Sequence, residues 1–237
     1  MEFSDKLQAF LKSEGASIIG FADLNEIPSD NRDGFPVGVS IGIALSPKII
    51  SEINEGPTNL YIEECLRLDV VLDRIGQATV DFLTADGYEA KRQATTNITG
   101  IKYPPNFIID LPHKTVATRA GLGWIGKCAL LITKQFGSAV RLGSVLTNAD
   151  LSLGIPIETS QCGGCTVCSD ICPARALSGK DWEVGMPRDS LIDVLVCRKT
   201  ARDLLIKRIG TEVVGRTFCG ICIASCPWTK NYSERIC

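Results

Sequence analysis

The chain has 237 residues, with 25 Lys and Arg against 27 Asp and Glu, a formal net charge of −2, and 45% hydrophobic residues. That content can bury the core of one large domain or two modest ones, and the balanced charge, with no run of Lys or Arg, speaks against a nucleic-acid partner. The opening Met1-Glu2-Phe3-Ser4-Asp5-Lys6 lacks the basic and apolar regions of a secretory signal. Apolar runs such as Val37 to Leu45 fall short of the roughly 20 residues of a membrane span. A cytoplasmic protein without membrane contact is expected, and in that reducing setting its 11 cysteines point to metal rather than to disulfides.

Phe3, Leu7, Phe10 and Leu11 recur at helical spacing until Gly15, and Ser17 to Ala22 reads as a short buried strand. Residues 37 to 45 are nearly continuous in apolar character and predict a central strand closed by Pro47. Leu60, Leu66, Leu68, Val71, Leu72, Ile75, Val80 and Leu83 predict a long amphipathic helix over Asn59 to Thr84, stopped by Asp86-Gly87. A strand over Tyr88 to Ala94, an extended turn at Pro104-Pro105 and a short helix over His113 to Arg119 follow. That helix leads into Gly121 to Lys127, and strands are expected at Ala129 to Thr133 and Ala139 to Thr147. The irregular succession favours an α+β architecture for residues 1–155. Pro156 with Glu158-Thr159-Ser160 reads as a linker into a cysteine-rich domain over 156–237.

Eight cysteines of that second domain fall between Cys162 and Cys226. Cys162, Cys165, Cys168 and Cys172, followed by Pro173, spell CxxCxxCxxxCP, the spacing at which three thiolates wrap one corner each of a 4Fe-4S cube and the fourth reaches a neighbouring cluster. Cys219, Cys222 and Cys226 with Pro227 form a second copy that lacks one cysteine, and Cys197 is the unassigned cysteine between the two motifs. Two cubes need eight thiolates. If ligands are exchanged as in two-cluster ferredoxins, one cube takes Cys162, Cys165, Cys168 and Cys226 and the other Cys172, Cys197, Cys219 and Cys222. The competing zinc reading expects two pairs separated by a spacer, which three cysteines at three-residue steps do not form. Cys197 also lies in a helical pattern, Leu191 to Ile209, and reads alternatively as a buried helix thiol. Cys65 and Cys128 read as small buried hydrophobes and Cys237 as a frayed terminus.

Gly121-Leu122-Gly123-Trp124-Ile125-Gly126-Lys127 contains GxGxxG, but it follows a helix and enters a strand, the reverse of the dinucleotide-binding order. Its glycines suit a close approach of backbone to a bulky cofactor or a cluster. His113, the one histidine in the chain, lies with Asp110 and Lys114 just before this loop. A lone histidine is usually structural, and the alternative is a proton donor beside an electron-delivering centre.

The run from His113 to Lys127, HKTVATRAGLGWIGK, followed by Gly137-Ser138, CxxCxxCxxxCP and CxxCxxxCPW, resembles epoxyqueuosine reductase, a family related to corrinoid-dependent reductive dehalogenases. The resemblance implies a nitroreductase-like N-terminal domain that binds cobalamin and substrate, joined to a two-cluster ferredoxin-like domain. It implies a cobalamin seat at Gly121, Leu122, Gly123, Trp124, Ile125, Gly126 and Lys127, with protons from Asp110, His113 or Tyr103. Electrons from a ferredoxin or flavoprotein would pass through two 4Fe-4S clusters to the corrinoid and on to a small-molecule substrate. The chain stops ten residues after Pro227, without the family's tRNA-associated helical repeats, so a tRNA substrate is not expected. Asp110 is followed by Leu111-Pro112-His113 where the family carries a DxGP-like segment, and the brief stretch from Leu45 to Tyr61 predicts a smaller or more open pocket. The competing expectation is a two-cluster electron carrier without a corrinoid, serving a partner enzyme.

Overall fold

Helix α1 (Phe3–Ser13) buries Leu7 and Leu11 completely, and Asp5 in its first turn and Lys12 in its last complement the helix dipole. Strands β1 (Ile18–Asp23) and β2 (Val37–Ala44) pair antiparallel, from Ile18 opposite Gly42 to Asp23 opposite Val37. β2 is buried along almost its whole length, as its continuous apolar run requires. Helix α2 (Pro47–Ser51) opens on Pro47, whose missing N–H is not needed there. Helix α3 (Asn59–Ala85) ends just before Gly87, which adopts φ +88° and so supplies the left-handed residue that closes helices. Its buried stripe runs through Tyr61, Cys65, Leu68, Leu72, Ile75 and Leu83. Leu60 and Leu66, expected on that stripe, are 53% and 37% exposed, because Tyr61 and Cys65 hold the inward positions of the first turns.

The structure, a computed structural model, describes residues 2–93, 109–210, 213, 216 and 218–235. Strand β3 (Ala90–Arg92) is shorter than the expected Tyr88 to Ala94, and Tyr103 and the Pro104-Pro105 turn lie outside the described residues. Helix α4 (His113–Arg119) has the expected bounds. Strands β4 (Trp124–Ile125) and β5 (Leu131–Ile132) form a small antiparallel hairpin, and β6 (Val140–Thr147) follows. Helices α5 (Val167–Asp170), α6 (Val194–Ile209), α7 (Ile221–Ser225) and α8 (Pro227–Glu234) complete the succession.

Two compact units emerge. The first comprises Met1–Ala44, Arg67–Leu122 and Arg141–Ile157. Its sheet runs β1-β2-β6-β3 among the described residues, with β3 antiparallel to β6, and α4 packs on β1 and β2. Ala22, Leu24, Leu111, Val116, Ala120 and Leu146 form a core cluster beneath α4. Phe3, Phe10, Phe82 and Tyr88 stack to pin α1 to the end of α3. Asp69 of α3, its side chain 4% exposed, accepts from Arg141 of β6 through Nε at 2.9 Å and Nη2 at 2.6 Å.

The second unit comprises Leu45–Leu66, Gly123–Val140 and Glu158–Cys237. Ile125, Ala129 and Leu191 form a core cluster with Trp182, Met186 and Ile192 against it. Phe136 meets the Tyr232 ring edge to face, and the Tyr232 hydroxyl donates to the Leu45 carbonyl at 2.9 Å. The single cut at 155/156 read from the sequence thus has a counterpart at Ile157/Glu158, but the chain also crosses between units four times earlier, at 44/45, 66/67, 122/123 and 140/141. Those crossings are set by long-range partners and leave no change in local composition. Helices and antiparallel pairs without βαβ alternation agree with a mixed α and β class. Among the described residues no helix is long and apolar enough to cross a membrane.

The Asp69–Arg141 pair carries a testable consequence. Arg141→Met leaves a carboxylate in the interior without the guanidinium whose Nε and Nη2 both donate to its Oδ1. It is expected to lower stability by about 2 kcal/mol, at the low end because the Arg141 side chain is itself 31% exposed. Urea unfolding followed by far-UV circular dichroism checks this, and Asp69→Asn added to Arg141→Met is expected to restore part of the loss.

Candidate metal centre

The first cysteine run folds as a succession of tight turns. The Cys165 N–H donates to the Cys162 carbonyl at 3.2 Å, the single turn of α5 carries Cys168, and the Cys172 N–H donates to the Ser169 carbonyl at 3.4 Å. Two-residue gaps are short enough for each thiol to leave its own turn toward a shared interior point. Cys197 lies on α6, whose N-cap Asp193 accepts from the Leu195 and Val196 N–H groups. Cys222 lies on α7, and Cys226 joins α7 to α8, with Pro227 at the first position of α8.

Four of these thiols line one cavity of about 80 Å3: Cys162, Cys165, Cys168 and Cys226, with Cys128, Lys127, Ile132, Pro227 and Trp228. Three come from the first motif and one from the second. The other four also keep company. Burial, then the charges of Cys172 and Cys219, push the Cys197 thiol up to about 11. Burial raises Cys219, with Cys172 adding to it, and raises Cys222 strongly, with Cys219, Cys197, Cys168 and Cys172 adding. Cys226 is raised by burial, with Cys162 contributing. The described residues contain no group of three His, Cys, Asp or Glu side chains placed to hold a single metal ion.

Cys168 is the exception in direction. A hydrogen bond with the Cys128 side chain, the Ser169 N–H and the nearby Lys127 charge outweigh its burial and bring it down to about 7. Cys128 is correspondingly raised, first by that bond and then by burial. The donor set is thus all sulfur, soft and poorly hydrated, and fits a thiolate-ligated iron-sulfur cluster, whose iron displaces the protons that burial otherwise retains.

Of the glycine loop, Lys127 lines this cavity. Trp124, fully buried, points Nε1 at the Cys162 sulfur at 3.5 Å and meets Trp228 edge to face at 5.2 Å. Lys127 Nζ donates to the Gly163 carbonyl at 2.7 Å and lies 3.7 Å from Asp181. A Cβ on Gly123 would sit 2.1 Å from the Ile132 carbonyl oxygen, and one on Gly126 would meet Ile132 at 2.6 Å and the Cys162 sulfur at 3.4 Å. Gly121 and Leu122 belong to the first unit, where a Cβ on Gly121 would meet the Ile155 carbonyl oxygen at 2.6 Å. The three glycines are therefore accounted for by the chain's own close approaches.

The candidate proton donors stand in the first unit. Asp110 is exposed, and its carbonyl accepts from the Asn31 amide at 3.4 Å. His113 opens α4 and is half-buried, with Nδ1 3.0 Å from the Ser144 hydroxyl on β6. Lys114 follows it, also half-buried. Cys65 is buried in α3 as expected of a small hydrophobe, and Cys237 lies outside the described residues. Cys128, read from the sequence as a small buried hydrophobe, is 4% exposed and also faces the cavity. Its position directly after GLGWIGK was the one available sign.

A family model described as a 4Fe-4S double cluster binding domain matches residues 161–229, which include all eight motif cysteines. The epoxyqueuosine reductase of Lactococcus garvieae is 38% identical over 119 residues, 50% of this chain and 32% of that protein. That of Bacillus cereus is 39% identical over 125 residues, 52% of this chain and 30% of that protein. The chain thus spans about a third of the length of these curated relatives. Among solved structures, an epoxyqueuosine reductase with an epoxyqueuosine-modified tRNA-Tyr stem loop matches with a TM-score of 0.63 at 21% identity, over 96% of this chain and 65% of that one. A catabolic reductive dehalogenase in complex with 3-bromo-4-hydroxybenzoic acid matches with a TM-score of 0.70 at 17% identity, over 96% of this chain and 33% of that one. The chain is thus similar in sequence to epoxyqueuosine reductases over about half its length, shares a fold with solved epoxyqueuosine reductase and reductive dehalogenase structures, and carries a 4Fe-4S double cluster binding domain over residues 161–229.

Proposed function

We propose that the chain is an iron-sulfur reductase with one 4Fe-4S cluster on Cys162, Cys165, Cys168 and Cys226 and a second on Cys172, Cys197, Cys219 and Cys222. The observation that carries this reading is the exchange between motifs: Cys226 of the second motif lines the same cavity as the first three cysteines. Cys172 of the first bears on Cys197, Cys219 and Cys222. Such interleaving is what the CxxCxxCxxxCP spacing does in two-cluster ferredoxins. Electrons enter from a ferredoxin or flavoprotein, pass one at a time between the clusters, and leave toward an acceptor. His113, Asp110 and Tyr103 are the proposed proton donors, with His113 favoured because Ser144 fixes its ring.

A corrinoid as that acceptor, held by a nitroreductase-like domain over residues 1–155, rests on the family resemblance. It rests also on fold likeness to a solved reductive dehalogenase described in terms of B12-dependent dehalogenation. The glycine loop does not fit as its cradle, since the Cβ directions of Gly121, Gly123 and Gly126 are filled by Ile155, Ile132 and Cys162. That same observation favours the second reading, a two-cluster carrier that hands electrons to a partner enzyme. The relative solved with a tRNA stem loop also restores an RNA substrate to the candidates that balanced charge had set aside.

Anaerobically reconstituted protein is expected to hold about eight irons per chain. Cys226→Ser and Cys162→Ser are expected to remove the same cluster, each leaving about four irons and one unchanged reduction potential, whereas Cys172→Ser and Cys197→Ser remove the other. Loss of different clusters from Cys226→Ser and Cys162→Ser would sink the exchanged assignment. Cobalamin retained through desalting, read in the visible spectrum, would support the reductase with a corrinoid. Its absence beside full iron content would make the chain a carrier.

A further inference from the structure

We infer that Trp124 tunes the first cluster: its indole N–H donates to the Cys162 sulfur and raises the reduction potential of the cluster that Cys162 helps to hold. The inference rests on the cluster reading above. Nε1 lies 3.5 Å from that sulfur, within reach of an N–H···S hydrogen bond. The direction of the bond is fixed by the donor, because an indole nitrogen has one proton to give and accepts none, whatever the protonation state of the sulfur. Trp124 is also fully buried, and an indole N–H withdrawn from water requires a partner.

Both ends of the bond are held. Trp124 lies on β4 opposite Ile132 of β5, and the Trp228 ring meets its ring edge to face at 5.2 Å and 78°. On the other side, the Cys162 N–H donates to the Ser160 hydroxyl at 3.3 Å and the Cys162 carbonyl accepts from the Cys165 N–H at 3.2 Å. Lys127 Nζ fixes the next peptide through the Gly163 carbonyl at 2.7 Å. Ile132, Pro227 and Trp228 line the cavity beside Cys162, and apolar walls of this kind leave the N–H dipole poorly screened. Reduction adds negative charge to a cluster, so a donor to its ligand sulfur stabilises the reduced state over the oxidised one. Trp124 binds no iron and acts through a ligand of one cluster. An electron shared between the two clusters therefore rests more on the first.

The test is an EPR-monitored redox titration of both clusters in the anaerobically reconstituted full chain, with iron content measured in each sample. Three proteins are compared: the wild type, Trp124→Phe, and a chain in which Trp124 is replaced by 3-benzothienylalanine, an isostere with sulfur in place of the indole N–H. The isostere keeps the packing against Trp228 and removes the donor alone. It is expected to keep about eight irons and to lower the potential of the cluster that Cys162→Ser removes, with the other potential in place. The ratio of reduced to oxidised cluster at a fixed poise would fall three- to tenfold, about 30 to 60 mV at 59 mV per decade for one electron. Trp124→Phe is expected to shift the same potential in the same direction. Unchanged potentials in the isostere overturn the inference even where Trp124→Phe shifts them, because packing would then be the cause. An upward shift, a shift of the other cluster alone, or a loss of about four irons from the isostere overturns it as well. A wild type that holds far fewer than about eight irons overturns the cluster reading itself, a failure distinct from the others.

Discussion

The second unit is governed by the cost of ionising thiols that are partly or wholly withdrawn from water. Cys197, Cys219, Cys222 and Cys226 all hold their protons more tightly than free cysteine does, and burial leads the causes in each. Four neighbouring thiolates without a counter-charge would repel one another in a medium that screens poorly. A cationic iron core removes both penalties together, because it displaces the protons and neutralises the charge they leave. The short helices and turns around the cysteines are small elements that cannot hold this geometry by their own hydrogen bonds alone. Much of the stability of residues 161–229 is therefore expected to come from the clusters.

That dependence explains which parts of the site were legible in sequence. Cysteine spacing is a local property: a two-residue gap fixes how far apart consecutive thiols can stand, so the two motifs could be read without any fold, whereas Cys197 stands outside them and was read both as an eighth ligand and as a buried helix thiol. Burial stripes were legible for a similar reason, and α1, α4 and the later part of α3 follow their apolar spacing. Leu60 and Leu66 failed because at the start of α3 two candidate stripes lie one residue apart, and the choice of Tyr61 and Cys65 is made by tertiary partners such as Phe218, which packs on Tyr61. The repeated crossings between units were illegible for the same reason, since nothing local marks Gly123 to Val140 as belonging with the cysteines.

The glycines of the loop allow close approaches within the chain: Cβ atoms on Gly121, Gly123 and Gly126 would meet Ile155, Ile132 and, for Gly126, also the Cys162 sulfur. Trp124 aims its N–H at the Cys162 sulfur, and Lys127 ties the turn at Gly163 through that residue's carbonyl.

The two groups of cysteines are linked through charge. Cys222 is raised by burial first and then by Cys219, Cys197, Cys168 and Cys172, two of which belong to the first motif. Ionising one group therefore makes ionisation of the other more costly in a medium that screens poorly. A centre that neutralised one group would lower the cost of ionising its neighbour, so the two motifs are expected to be loaded together rather than independently.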